Sequence, residues 1–146
     1  MRTFDARYIA DCLVNIASQN PDNNDMTNMK LQKLLYYVQG TYLAFYGKKL
    51  FEQPIVKWQY GPVVPDVYHQ YKEYGNQIIS VNEVDMNLLN ENQLRVLNMV
   101  YDFFGQFSAI KLMNLTHNEA PWNSVEMGQE IPTNLIADYF NTIVIK

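Results

Sequence analysis

Apolar positions recur at helical spacing in several stretches, each bounded by residues that start or stop helices. Ile9, Cys12, Leu13, Ile16 and Ala17 follow Asp5, whose carboxylate can cap free N–H groups, and predict an amphipathic helix over about 5–18. An Asn/Asp-rich stretch at 19–27 breaks it. From Asn28, a longer helix is written by Leu31, Leu34, Leu35, Val38, Tyr42 and Phe45 on one face, with Gly47 as its stop. Asn90 and Gln93 read as a capping pair ahead of the stripe Leu94, Leu97, Tyr101 and Phe104, which ends at Gly105. Ser108 caps a further helix through Leu112 and Leu115 to about Asn118. Pro121-Trp122 and Pro132 mark turns, and Leu135, Ile136, Tyr139, Phe140 and Ile143 define a terminal helix.

Between 50 and 82 the period changes. Ile55, Lys57 and Gln59 alternate with Val56, Trp58 and Tyr60, as a half-buried strand does, and Gln-Ile-Ile-Ser-Val at 77–81 reads as a second strand. Gly61 and Pro62 stop the first, while Pro65 opens a helix carrying Val67, Tyr68 and Tyr71 up to Gly75. The expected insertion is strand, helix, strand, with the two strands paired. No linker and no repeat interrupts the chain. The fold class is therefore mainly α (α+β): a compact helical domain with a small antiparallel β element around 50–82, and one domain over 1–146.

Composition sharpens this. The chain has 146 residues, 48% apolar, 14% aromatic and 18% charged, enough apolar side chains for a sizeable core and too little charge for a disordered tail. Its net charge of −4 argues against nucleic-acid binding over the whole surface. The basic part is local: residues 30–72 hold six lysines against Glu52 and Asp66. They read first as solvated side chains, and second as a basic face. A single cysteine, Cys12, excludes an internal disulfide and a cysteine-only zinc site within this chain. No apolar run of membrane-spanning length and no signal-peptide core is found, so a cytoplasmic location is expected.

Catalytic material is sparse. Cys12 falls on the apolar face of the first helix, where a cysteine is ordinarily a small buried hydrophobe. His69 and His117 lie far apart, without metal-ligand spacing even if Asp66 or Glu119 joined them. The glycines are singletons outside any phosphate-loop spacing, and the carboxylates form no paired signature. No enzyme, cofactor or metal is expected. His117, at a helix end, is read as locking the turn before Trp122 by a hydrogen bond. Tyrosines and Trp58 crowd the lysine-rich segment, which suits a partner-binding face as well as it suits packing.

Two stretches carry a likeness to a known family. KLQKLLYYVQGTYLAFYGKKLFEQPIVKWQYGPVVPDVY at 30–68 and LTHNEAPW at 115–122, followed by the terminal helix, resemble the Panacea domain family of SocA-like antitoxins, often labelled phage-associated proteins. The anchors are Trp58, Tyr60, Gly61, Pro62, Val63 and Pro65 in the first, and Thr116, His117, Pro121 and Trp122 in the second. The resemblance implies a mainly helical domain with a small β insertion, no catalytic residues, and an antitoxin that neutralises a separately encoded, cognate protein toxin by contact. Some relatives add a helix-turn-helix domain, for which this chain leaves no room. The anchors are read as scaffold, with Pro121-Trp122 bringing a ring back over Trp58 and Tyr60. Partner contact is assigned to Lys48, Lys49, Lys57, Tyr71, Lys72, Tyr74 and the 81–90 loop. A homo-oligomer stays open, and the alternative function is a phage or prophage accessory protein that binds and redirects a host protein.

Overall fold

In a computed structural model, which describes residues 3–144, the order is α1 (Ala6–Ser18), α2 (Asn28–Tyr46), β1 (Val56–Trp58), β2 (Gly61–Val63), α3 (Pro65–Tyr71), α4 (Glu91–Phe104), α5 (Ala109–His117), α6 (Ala120–Asn123) and α7 (Thr133–Ile143). The caps explain most of these boundaries. Asp5 accepts the Arg7 N–H at 2.8 Å, Thr27 accepts the Lys30 N–H, Ser108 accepts the Lys111 N–H, and Asn90 with Gln93 closes a reciprocal capping box. Gly47 stops α2 at φ 70°, a left-handed turn open to glycine at little cost.

The one-faced pattern expected of α2 gives way to burial on every side. Residues 30–44 are all buried, because α1, α3, α4, α5, α7 and β2 surround the helix. Leu31, Leu34, Leu35 and Val38 meet the core from Ile9 and Leu13 of α1, Val96, Leu97 and Val100 of α4, and Ile136 and Phe140 of α7. The polar residues between them are enclosed too, and the solvated reading fails for Lys30 and Lys33. Cys12 is buried in the core, as expected.

The β element is small and antiparallel, but its second strand is not 77–81. It is Gly61–Val63, which folds straight back on β1 with Val56 opposite Val63 and Trp58 opposite Gly61. The residues that looked like a strand stop are thus its partner. Residues 77–81 instead run along the start of α2, where the Ile79 N–H donates to Met26 O at 2.9 Å and the Ile79 side chain is buried. Ile131 N–H donates to Ile55 O, and Lys57 N–H to Gln129 O, so the segment before α7 lies beside β1. Pro121 and Trp122 lie in the short helix α6. Among the described residues no helix is long and apolar enough to cross a membrane.

Gly40 shows how closely α2 and α7 approach. A Cβ there would lie 2.2 Å from the Phe140 ring. In an exposed helix Gly→Ala gains about 1 kcal/mol, whereas overpacking a filled core costs about 1–3 kcal/mol. Gly40→Ala is expected to lower stability in urea unfolding, the crowding outweighing the propensity.

Candidate binding site beside the hairpin

A buried polar helix must find partners for its side chains, and α2 finds them in the turns around it. Lys30 Nζ donates to Asp25 Oδ1 and to Gly105 O, each at 2.6 Å. Gln32 accepts the Val64 N–H at 2.8 Å and donates to Asn28, and Gln39 accepts the Leu50 N–H while donating to Phe51 O. Tyr36 and Tyr37 donate to the two oxygens of Glu119 at 2.9 and 2.8 Å. Burial raises the Glu119 carboxyl above its ordinary range, although the tyrosine hydroxyls oppose this.

Lys33 is the least satisfied member. Its Nζ reaches Pro62 O at 3.4 Å, and burial pushes its pKa down to about 7. Its stem passes under the hairpin: a Cβ on Gly61 would lie 2.4 Å from Lys33 Cε and 3.0 Å from Thr116 Oγ1. Gly61 has φ 115°, so glycine is required there for two independent reasons.

The two anchors meet at this point. Trp122 Nε1 donates to Trp58 O at 3.1 Å, which returns the ring over the hairpin as expected. Lys57 Nζ lies 3.9 Å from the centre of the Trp122 ring and donates to Val125 O. His117 also acts on this ring, but by stacking at 4.2 Å; its Nε2 is buried without a partner among the described residues, so the expected hydrogen-bonded lock is not formed. Pro62 and Pro121 are buried, Pro65 opens α3, and Thr116 Oγ1 donates to Met113 O.

Beside Lys33 the hairpin, α2 and α3 enclose a hollow of about 460 Å³. Its walls are apolar, with Met29, Trp58, Val63 and Tyr68 prominent, and Tyr60, 56% exposed, standing at its side. Lys33 and Lys72 line it and no carboxylate does. Such walls suit an apolar group, with the two lysines as the charged residues beside it.

The residues assigned to partner contact are scattered. Lys48 and Lys72 are exposed, Lys49 Nζ is held by Glu52 O, and Lys57 is engaged as described. Tyr71 is buried and donates to Asp11 on α1, so in this fold it offers no surface; Tyr74 is half-buried and donates to Ser80 O. The 81–90 loop is largely exposed. A different surface escaped notice. Met99, Phe103 and Ile143 are 41%, 57% and 47% exposed around a hollow of about 400 Å³ that Phe45 also lines. Phe103 beside Phe104 was the available signal, since the stripe that ends at Phe104 covers one face of the helix and the residue before it points about 100° away.

The profile of the family described as Antitoxin SocA-like, Panacea domain matches residues 31–123. The chain belongs to this family. The matched span contains both anchors and runs from α2 to α6, leaving α1 and α7 outside it. The chain is also 27% identical over 139 residues to Antitoxin SocA of Caulobacter vibrioides (strain NA1000 / CB15N), covering 87% of this chain and 73% of that protein. No solved structure matches it. In this Panacea domain the family signature marks where the hairpin, α5 and α6 lock onto α2. Burial pushes the Cys12 thiol up to about 11, and no cluster of three His, Cys, Asp or Glu fit for a metal occurs among the described residues.

Two outcomes are expected from this geometry. Unfolded Lys33 holds its proton to about pH 10.4, whereas the folded side chain loses it near 7. The unfolded state thus binds more protons through that interval, and stability rises with pH by at most about 1.4 kcal/mol per unit. Between pH 7 and 9 the urea midpoint should climb, and Lys33→Met, which keeps the stem and removes the amine, should flatten the climb and be the more stable protein at pH 7. Tyr36→Phe and Tyr37→Phe each remove one of the tyrosine hydroxyls that donate to buried Glu119 and should cost about 1–3 kcal/mol in the same measurement.

Proposed function

We infer that this chain is the antitoxin of a toxin–antitoxin pair and neutralises a cognate protein toxin by direct contact, as a binding domain rather than a catalyst. The observation that carries this reading is the family match from α2 to α6, across both anchors. The likeness to a curated antitoxin supports it. So does the make-up of the surface. Met99, Phe103 and Ile143 form an exposed apolar patch, a surface on which another protein can dock. No charged side chain lines its hollow. We assign the toxin contact to that patch, because aromatic and Met side chains are enriched at interfaces while lysine is depleted.

Expression of the neighbouring gene with and without this chain tests the function. Toxicity relieved by this chain, with co-purification of the pair, is the expected outcome; a non-toxic neighbour would favour an accessory binder of a host protein. The surface is tested in the same assay. Phe103→Asp should abolish rescue and co-purification with an unchanged melting temperature, while Lys48→Glu and Lys72→Glu should retain both. The reverse pattern places the contact on the lysine-bearing side.

A further inference from the structure

Lys33 carries a chemical group that the fold leaves largely unused. The side chain is 1% exposed, and its one hydrogen bond, to Pro62 O at 3.4 Å, is at the long limit for such a bond. The ion pairs among the described residues involve Arg7 and Lys30, not Lys33. A buried amine without a counter-charge is costly, and methionine would fill the same space without that cost. Yet the backbone is arranged around this side chain, since Gly61 makes room for its Cε. The same residue lines the hollow of about 460 Å³ beside the hairpin. That volume falls within the roughly 300–1,000 Å³ of small-ligand sites, and a mostly apolar wall with few convergent polar groups is their usual construction.

Charge decides what the hollow accepts. Both charged side chains on its wall, Lys33 and Lys72, are cationic, in a chain whose net charge is −4. We propose that this hollow is a binding site for a small organic carboxylate, with its aromatic or branched apolar body against Trp58 and Tyr68 and its acid group on Lys33. The carboxylate supplies the counter-charge that Lys33 lacks, and its presence favours the protonated amine. A phosphate group fits less well. It calls for several converging donors, whereas the arginines are absent from this wall and the start of α2 is already capped by Thr27. The site stands independently of the antitoxin reading.

The test uses the full chain with isotope-labelled lysine Cε, titrated at fixed pH with phenylacetate, indoleacetate and isovalerate, and with phenylacetamide as the neutral match. At least one acid is expected to shift the Lys33 Cε resonance saturably, and phenylacetamide to bind about tenfold more weakly than phenylacetate or worse. Lys33→Met should erase the preference for acid over amide, and Lys48→Ala, outside the hollow, should keep it. The proposal is overturned if no acid shifts the resonance at about 10 mM, ten times a millimolar Kd. Equal binding of acid and amide, or undiminished acid binding by a folded Lys33→Met, overturns it as well. Should Lys33→Met fail to fold, the wild-type shift and the amide comparison decide. A capped peptide with Glu between two Phe residues presents the same chemistry on a polypeptide. Binding of that peptide in place of the free acids overturns the small-acid assignment.

Discussion

The structure depends on one constraint: a helix carrying lysine, glutamine and tyrosine is enclosed on all sides. Water has little access to these groups, so most are met by protein, and the surrounding turns supply the partners, Lys33 being the least fully matched. Gly105, at the end of α4, is fixed by Lys30; Val64, before α3, by Gln32; the turn at Leu50 and Phe51 by Gln39; and Glu119, before α6, by Tyr36 and Tyr37. Apolar packing draws the helices around α2, but it is non-directional. The polar side chains fix which turn sits at which height along the axis.

The same constraint gives the family signature a physical meaning. Tyr36 and Tyr37 lie in the first quoted stretch, and their shared partner Glu119 lies in the second, more than eighty residues later in sequence. Trp122 on Trp58 O closes the ring of contacts. Two short motifs distant in sequence are therefore halves of one junction. Surface residues outside such a junction can change without disturbing it.

Element boundaries were legible where local chemistry writes them. Asp5, Asn90 with Gln93, Ser108 and Gly47 act within a few residues of themselves, and the helix ends they mark appear where these residues put them. What depended on distant neighbours was not legible. The apolar stripe of α2 is real, yet no local pattern says that its opposite face will also be covered, and Lys30 and Lys33 read as solvated for that reason. The strand at 77–81 had the β-branched composition of a strand, but Gly61–Val63 was two residues away and reached β1 at lower loop-closure cost. At the site, the return of Trp122 over the hairpin was legible. The burial of Tyr71 and the exposure of Phe103 were not, since spacing places a side chain on a face without saying whether that face is covered.

The small sheet has no open side. Along β1, Lys57 N–H is taken by Gln129 O and Lys57 O by Gly128 N–H, while Gly61, Pro62 and Val63 of β2 are all buried against the helices. A sheet with a free edge can recruit an extended segment from another chain through main-chain hydrogen bonds, a mode that accepts many sequences alike. Here that mode is shut on both flanks. A partner that docks over the hairpin must therefore be read through side chains and shape, and a change of that partner calls for changes in surface residues with the strand pairing left as it is.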